Sequence, residues 1–200
     1  MTILRKTRIV LTPNAAPFAI RAERTSDVVA REALLDVCFG VNRHLRTCQR
    51  LRDGRVPAEG LALSAVREGR LAGTVRLWHV SAGGIPALVL GPLAVEASSR
   101  KLGVGTALMD HALAAATARG HRAVILLGDA PYYARFGFSP RQTGELSLPG
   151  PFERDGLPAL ELRETALDDV RGMIVPTGAP EPKVKAVRAK KTARAAPHAA

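Results

Sequence analysis

Cysteine is scarce in this 200-residue sequence. Cys38 and Cys48 are the only two, they form no CxxC pair, and no histidine stands at metal-ligand spacing from them. A disulfide scaffold and a zinc module are thereby excluded, no metal site is expected, and the usage fits a reducing compartment. No apolar stretch reaches the ~18–20 uncharged residues of a membrane span, so no membrane partner is expected. Between Met1 and Ile20 the cations Arg5, Lys6 and Arg8 precede an apolar run broken by Thr12, Pro13 and Asn14. That break spoils a signal-peptide core, and the expectation is a cytoplasmic protein. Acidic residues are also few, 18 against 29 Lys and Arg, which leaves a net charge of +11.

Apolar residues make up 46% of the chain, enough for a sizeable core, and the length suits one domain with tails. The basicity lies mainly at the ends. Residues 178–200 hold Lys183, Lys185, Arg188, Lys190, Lys191 and Arg194 against Glu181 alone, and residues 1–10 add three cations, so the body between is nearly balanced. The segment after Val175 is rich in Pro, Ala and Lys and has no aromatic residue. It buries too little to offset its ordering entropy. The expected organisation is an N-terminal arm over 1–17, one domain over 18–175, and a basic, disordered tail over 176–200.

Hydrophobic periodicity gives a mixed α/β order. Phe18–Glu23 alternates as a strand, and Thr25, Ser26 and Asp27 offer N-cap chemistry for a helix through Cys38 that stops near Gly40. Val41–Arg52 reads as a further helix. Leu61–Arg67 and Leu71–Val80 form a hairpin across Glu68-Gly69, and Ala87–Val95 is apolar enough for a strand buried on both faces. Thr106–Arg119 is a helix closed by Gly120. Ala123–Leu127 is a second buried strand, Pro131–Arg135 a short helix, Phe138 the start of a return strand, and Ala159–Arg163 a last strand.

Chemistry concentrates in Glu96-Ala-Ser-Ser-Arg100-Lys101-Leu102-Gly103-Val104-Gly105-Thr106, where a buried strand runs through a glycine-bearing loop into a helix. Such a loop aims main-chain N–H groups and the positive helix end at one point, and Gly103 and Gly105 admit an anion without an obstructing Cβ. Arg100 and Lys101 add charge, so the segment suits a phosphate or pyrophosphate. It is not a Walker loop, because Thr106-Ala107 follows Gly105, and not a dinucleotide fingerprint, because Leu108 replaces the third glycine.

Arg100-x-x-Gly103-x-Gly105 after Leu93-Ala94-Val95 resembles motif A of the GNAT-superfamily N-acetyltransferases. Tyr133-Ala-Arg-Phe-Gly137-Phe138 is similar to that family's Tyr-x-x-x-Gly-Phe, and the longer string Gly128–Phe138, with Leu90–Val95 upstream, resembles the YhbS-like subgroup. The resemblance spans roughly Phe18 to Arg163. It implies the GNAT fold, a mixed sheet of about six or seven strands flanked by about four helices, and acetyl transfer from acetyl-CoA to a primary amine. It further implies that Leu93, Ala94 and Val95 bind pantetheine through their backbone. The amides of Lys101, Leu102, Gly103, Val104, Gly105 and Thr106, with the Arg100 side chain, would hold the pyrophosphate. Asp129 and Phe136 join the cofactor set, Tyr133 protonates the departing thiolate, and the Val95 N–H is the oxyanion donor.

Some members of the family carry a glutamate on the central strand, where this chain has Ala87-Leu88-Val89-Leu90. Glu96, Asp129 and His79 are the candidates left for removing the amine proton. The arginines at 43, 46, 50 and 52 hint at an anionic acceptor, either a small molecule or a peptide. Two alternatives stand beside transfer. One is a non-catalytic acyl-CoA-binding or regulatory module, and the other is nucleic-acid association through the basic tail, where the lack of aromatics disfavours single-strand recognition. Trp78 and Phe152 suit a core or an oligomer interface equally.

Overall fold

The computed structural model describes residues 17–182, so most of the expected arm and tail lies outside the described residues. Among the described residues there are eight strands: β1 (Ala19–Ala22), β2 (Ala62–Arg67), β3 (Arg70–Ala82), β4 (Ile85–Val95), β5 (Ala123–Leu126), β6 (Leu146–Ser147), β7 (Ala159–Glu161) and β8 (Gly172–Pro176). Three α-helices accompany them: α1 (Val28–Phe39), α2 (Val104–Ala118) and α3 (Ala130–Ala134). The main path of the sheet runs β1-β2-β3-β4-β5-β7, with β8 on the far half of β3 and β6 beside β8. Every pairing is antiparallel except β4 with β5 and β6 with β8.

The continuous apolar runs mark the strands that are covered on both sides. In β4, Leu88 and Leu90 join the core beneath α2, while Ala87 and Val89 join a second core on the opposite face. In β5, Val124 and Leu126 divide from Ala123 and Ile125 in the same way. This is the alternation that a central parallel pair requires. Helix α2 supplies Val104, Leu108, Met109, Ala112 and Ala116, all buried and all at helical spacing.

Several expectations differ from the structure. Val41–Arg52 is not one helix but two 3-10 turns, Val41–Leu45 and Thr47–Leu51, separated by Arg46 in an extended conformation. Val41 and Leu45 are mostly exposed and only Thr47 and Leu51 are buried, so the segment lacks the apolar stripe that would reward a continuous helix. Among the described residues the α-helices therefore number three rather than four. At Phe138 the expected strand is a single bridge, Ser139 to Ala159. The sheet also runs past residue 175: β8 ends at Pro176, and the N–H groups of Thr177 and Gly178 donate to the His79 carbonyl.

Trp78 is buried in the core, and its indole N–H donates to the Gly91 carbonyl at 2.6 Å. That carbonyl belongs to a bulge in β4. Val75 pairs with Leu93 and Leu77 with Leu90, so Gly91 and Pro92 together oppose Arg76. At the edge of the fold, Arg21 donates two hydrogen bonds to Asp27 (2.6 and 2.9 Å), which also accepts from the Arg24 N–H and the Ser64 hydroxyl. The Arg21 guanidinium holds the Asp27 carboxyl well below the usual carboxylate range, outweighing the opposing effect of burial.

Trp78→Phe leaves the Gly91 carbonyl without its donor and is expected to cost about 1–3 kcal/mol in urea denaturation. Because the folded pKa of Asp27 is depressed, its contribution is complete above the unfolded value and is lost as pH falls through the folded one. Asp27→Asn should therefore be less stable than the parent chain at pH 7, with the deficit shrinking below about pH 4. A deficit that does not depend on pH would remove the ionic account.

Candidate active site

The parallel ladder between β4 and β5 is short, joining Leu88 to Val124, Val89 to Ile125 and Leu90 to Leu126. Beyond it the two strands part. β4 enters the Gly91–Pro92 bulge, where Pro92 has no N–H to offer a neighbour, and Gly128, just past β5, bonds Gly156 instead. On its other side β4 still pairs with β3. The Glu96 N–H donates to the Ala72 carbonyl at 2.9 Å, and Ala94 lies opposite Thr74. Antiparallel alternation then turns the main-chain groups of Ala94 toward β3 and those of Leu93 and Val95 toward the gap. The Cys38 thiol, 3.7 Å from the Val95 carbonyl, meets that outward-facing oxygen.

The gap opens into a cleft of about 580 Å³. Leu90, Gly91, Pro92 and Leu93 form one wall, and Leu127, Gly128, Asp129, Tyr132 and Tyr133 another. The 3-10 turns between α1 and β2 supply Cys48, Gln49 and Arg52, while Glu153 and Gly156 approach from the segment before β7. Two hydrogen bonds fasten those last two regions together: the Thr47 hydroxyl donates to the Pro151 carbonyl and the Arg50 guanidinium to the Pro149 carbonyl.

The glycine loop follows β4. Gly103, with φ +82°, is the N-cap of α2, and the residue two before it, Lys101, also has a positive φ of +67°. None of the six N–H groups from Lys101 to Thr106 has an acceptor among the described residues, and the Ala107 N–H makes the first helical bond, to Gly103. A row of unpaired donors at the positive end of a 15-residue helix is an anion cradle. Arg100, Lys101 and Leu102 stand exposed around it.

Helix α3 places two tyrosines at the opposite lip. Their rings meet edge to face at 4.9 Å, and Arg135 lies 4.0 Å over the Tyr132 ring. Burial pushes the Tyr133 phenol up to about 12, with Tyr132 and Asp129 acting in the same direction. Tyr133 therefore stays protonated near neutrality. Its ring lies across Gly128, where a Cβ would stand 2.7 Å from Cε2, so only glycine leaves it that seat. Burial also raises the Cys48 thiol, against the pull of Arg52, so Cys48 is not set up as a nucleophile.

The structure thus gathers Leu93, Asp129 and Tyr133 at the cleft and sets the 100–106 loop beside it. Three sequence-derived candidates fall elsewhere. The Glu96 carboxylate accepts from the hydroxyls of Ser98 (2.7 Å) and Ser99 (3.3 Å) and does not line the cleft. His79 lies next to His121, ring centroids 5.3 Å apart, and Phe136 packs against Tyr132 and the core beneath α2. Glu153, a cleft-lining carboxylate, was not singled out by sequence because it sits in an irregular segment with no motif around it. Among the described residues no group of three or more His, Cys, Asp or Glu side chains could hold a metal, and no helix is long and apolar enough to cross a membrane.

A comparison with family models matches residues 30–138 to the acetyltransferase (GNAT) family. The chain belongs to that family. It is 28% identical over 157 residues to the uncharacterized N-acetyltransferase YhbS of Escherichia coli K12, which covers 78% of this chain and 93% of the relative. The crystal structure of Escherichia coli YhbS in complex with CoA superposes with a TM-score of 0.71, covering 84% of this chain and 93% of that one. Ard1 from Thermoplasma volcanium, 16% identical with a TM-score of 0.52 over 74% of this chain and 99% of its own, shares the fold. The GNAT fold is a mixed sheet with helices, as expected, and the protein is an acyltransferase of this family.

Gly128→Ala should displace the Tyr133 ring without straining the backbone, since Gly128 has no positive φ. A misplacement of this kind is expected to lower turnover by about 10²-fold. Turnover would be followed by thiol release, with circular dichroism to confirm an unchanged fold.

Proposed function

We propose that the protein transfers the acetyl group of acetyl-CoA directly to a primary amine. The observation that carries this reading is the end of the β4–β5 ladder at Leu90 and Leu126, which leaves the outward main chain of Leu93 and the Val95 N–H free to bind an extended ligand as an added strand, the Val95 carbonyl being met by the Cys38 thiol. The CoA bound to Escherichia coli YhbS, whose fold this chain shares, supports it. In this reading the pantetheine arm lies along Leu93 and Val95. Its pyrophosphate meets the N–H groups of Lys101–Thr106 and the side chain of Arg100, whereas Ala94, turned toward β3, contributes by packing against Leu34 and Leu35.

Chemistry falls to few groups. The amine nitrogen attacks the thioester carbonyl, forming the C–N bond as the C–S bond breaks. The Leu93 N–H, which lines the cleft where Val95 does not, stabilises the negative oxygen. Tyr133 gives its proton to the leaving sulfur, a role suited to a phenol that burial keeps protonated. Before attack the ammonium loses one proton through Asp129 or Glu153, the two carboxylates on the cleft wall, and the second N–H proton, released as the amide forms, restores the Tyr133 phenol.

Calorimetric titration with acetyl-CoA, beside desulfo-CoA and ATP, tests the cosubstrate. One-to-one binding that is selective for the CoA forms is expected, and Gly103→Glu should abolish it by placing a side chain and a negative charge at a left-handed residue inside the cradle. Tyr133→Phe should lower kcat by about 10²–10⁴-fold with acetyl-CoA affinity unchanged. Equal turnover would remove the acid role. The parent enzyme should show no alkaline loss of activity attributable to Tyr133 below about pH 11.

A further inference from the structure

The arginines around the cleft differ in what they hold. Arg43 donates to Asp36 at 2.7 Å and to Glu32, Arg46 bonds the Phe39 carbonyl at 3.3 Å and covers its ring, Arg50 bonds the Pro149 carbonyl, and Arg76 is paired with Glu23. The Arg52 side chain makes no hydrogen bond and no ion pair with any described residue. Its Nε is fully buried and without a partner, a singular position among the buried side-chain nitrogens and oxygens of the described residues. Asp53 beside it is exposed and accepts from Gln49 instead. Buried cations are ordinarily compensated by an anion, because desolvation without one is costly.

Position gives this orphan a use. Arg52 lines the cleft, and its Nη1 stands 3.8 Å from where a Cβ on Gly91 would be. Gly91 lies two residues before Leu93, at the start of the bulge. Behind Arg52 is a smaller cavity of about 180 Å³, lined by Arg31, Arg43, Arg76, Glu32, Asp53 and Glu181. No carboxylate there comes within ion-pair distance of Arg52; burial works against its charge, Asp53 is near enough to favour it, and Arg43 and Arg76 are near enough to oppose it.

We propose that Arg52 anchors an oxyanion, carboxylate or phosphoryl, carried by the acceptor, so that the substrate class is a small anionic amine with its nitrogen a short carbon chain from the charge. The inference rests on the acetyltransferase reading and narrows it. A planar guanidinium binds both oxyanions in a bidentate fork. A cleft of about 580 Å³ that also admits the acetyl end of the cosubstrate suits a metabolite-sized acceptor better than a folded protein.

The test compares amines in matched pairs with the full-length protein: amino acids of increasing chain length against their carboxamides, and aminoethyl phosphate against ethanolamine. The charged member of a pair should be acetylated with kcat/KM about a hundredfold above its neutral partner, chiefly through KM. Arg52→Gln should collapse the ratio of charged to neutral kcat/KM toward one, and Arg52→Lys should restore part of it. Which pair shows the effect separates carboxylate from phosphoryl. Equal use of charged and neutral members by the parent enzyme, which needs no variant to observe, overturns the proposal, as does a charge preference that survives Arg52→Gln. Failure of the parent protein to bind acetyl-CoA overturns the acetyltransferase reading itself, and so is distinguishable from either.

Discussion

The site depends on a place where β-pairing stops. β4 and β5 share three register pairs and then separate, and the separation is built into the chain at Gly91-Pro92. A proline cannot donate to a ladder, and the extra residue of the bulge swings the strand off its neighbour's line. The departure is stabilised from the core side, where the Trp78 indole holds the Gly91 carbonyl. A central strand exposing unpaired main-chain groups is ordinarily a liability. Here the exposed stretch is short, one edge remains bonded to β3, and the cleft walls shield it.

Around that opening the fold assigns separate tasks to separate elements. The N-terminus of α2 concentrates unpaired donors and positive potential at one end. The short α3 sets a protonated phenol at the lip, seated over a glycine. The two 3-10 turns and the segment before β7, fastened by Thr47 and Arg50, form the facing wall, the acceptor side under the proposed function. In that reading the anionic cosubstrate meets main-chain N–H groups and the Arg100 side chain, and Arg52 is the cation proposed for the acceptor.

Much of this was legible from the residues. The two-sided burial of β4 and β5 follows from their unbroken apolar runs, and Gly103, Gly105 and Tyr133 stand in strings specific enough to carry a family resemblance. What the sequence hid depends on distant partners. β8 is a five-residue strand whose identity comes from pairing with the far half of β3, about ninety residues away. The break at Arg46 reflects bonds from Thr47 and Arg50 to residues a hundred positions on. Glu96 looked available because its sequence position follows the Leu93–Val95 strand end, but the serines two and three residues later both donate to its Oε2. Four arginines looked alike at 43, 46, 50 and 52, and only the map of their partners separates the one that is unpaired from three that are spent.

Gly105 lies at the junction of these parts. A Cβ there would come within 3.3 Å of the Tyr132 hydroxyl and 3.5 Å of a Val95 methyl. The glycine loop, the opened strand and helix α3 thus converge on a space about one methyl group wide. An alanine at 105 asks the Tyr132 hydroxyl to give by a few tenths of an ångström, and a larger side chain there meets Tyr132 and Val95 together.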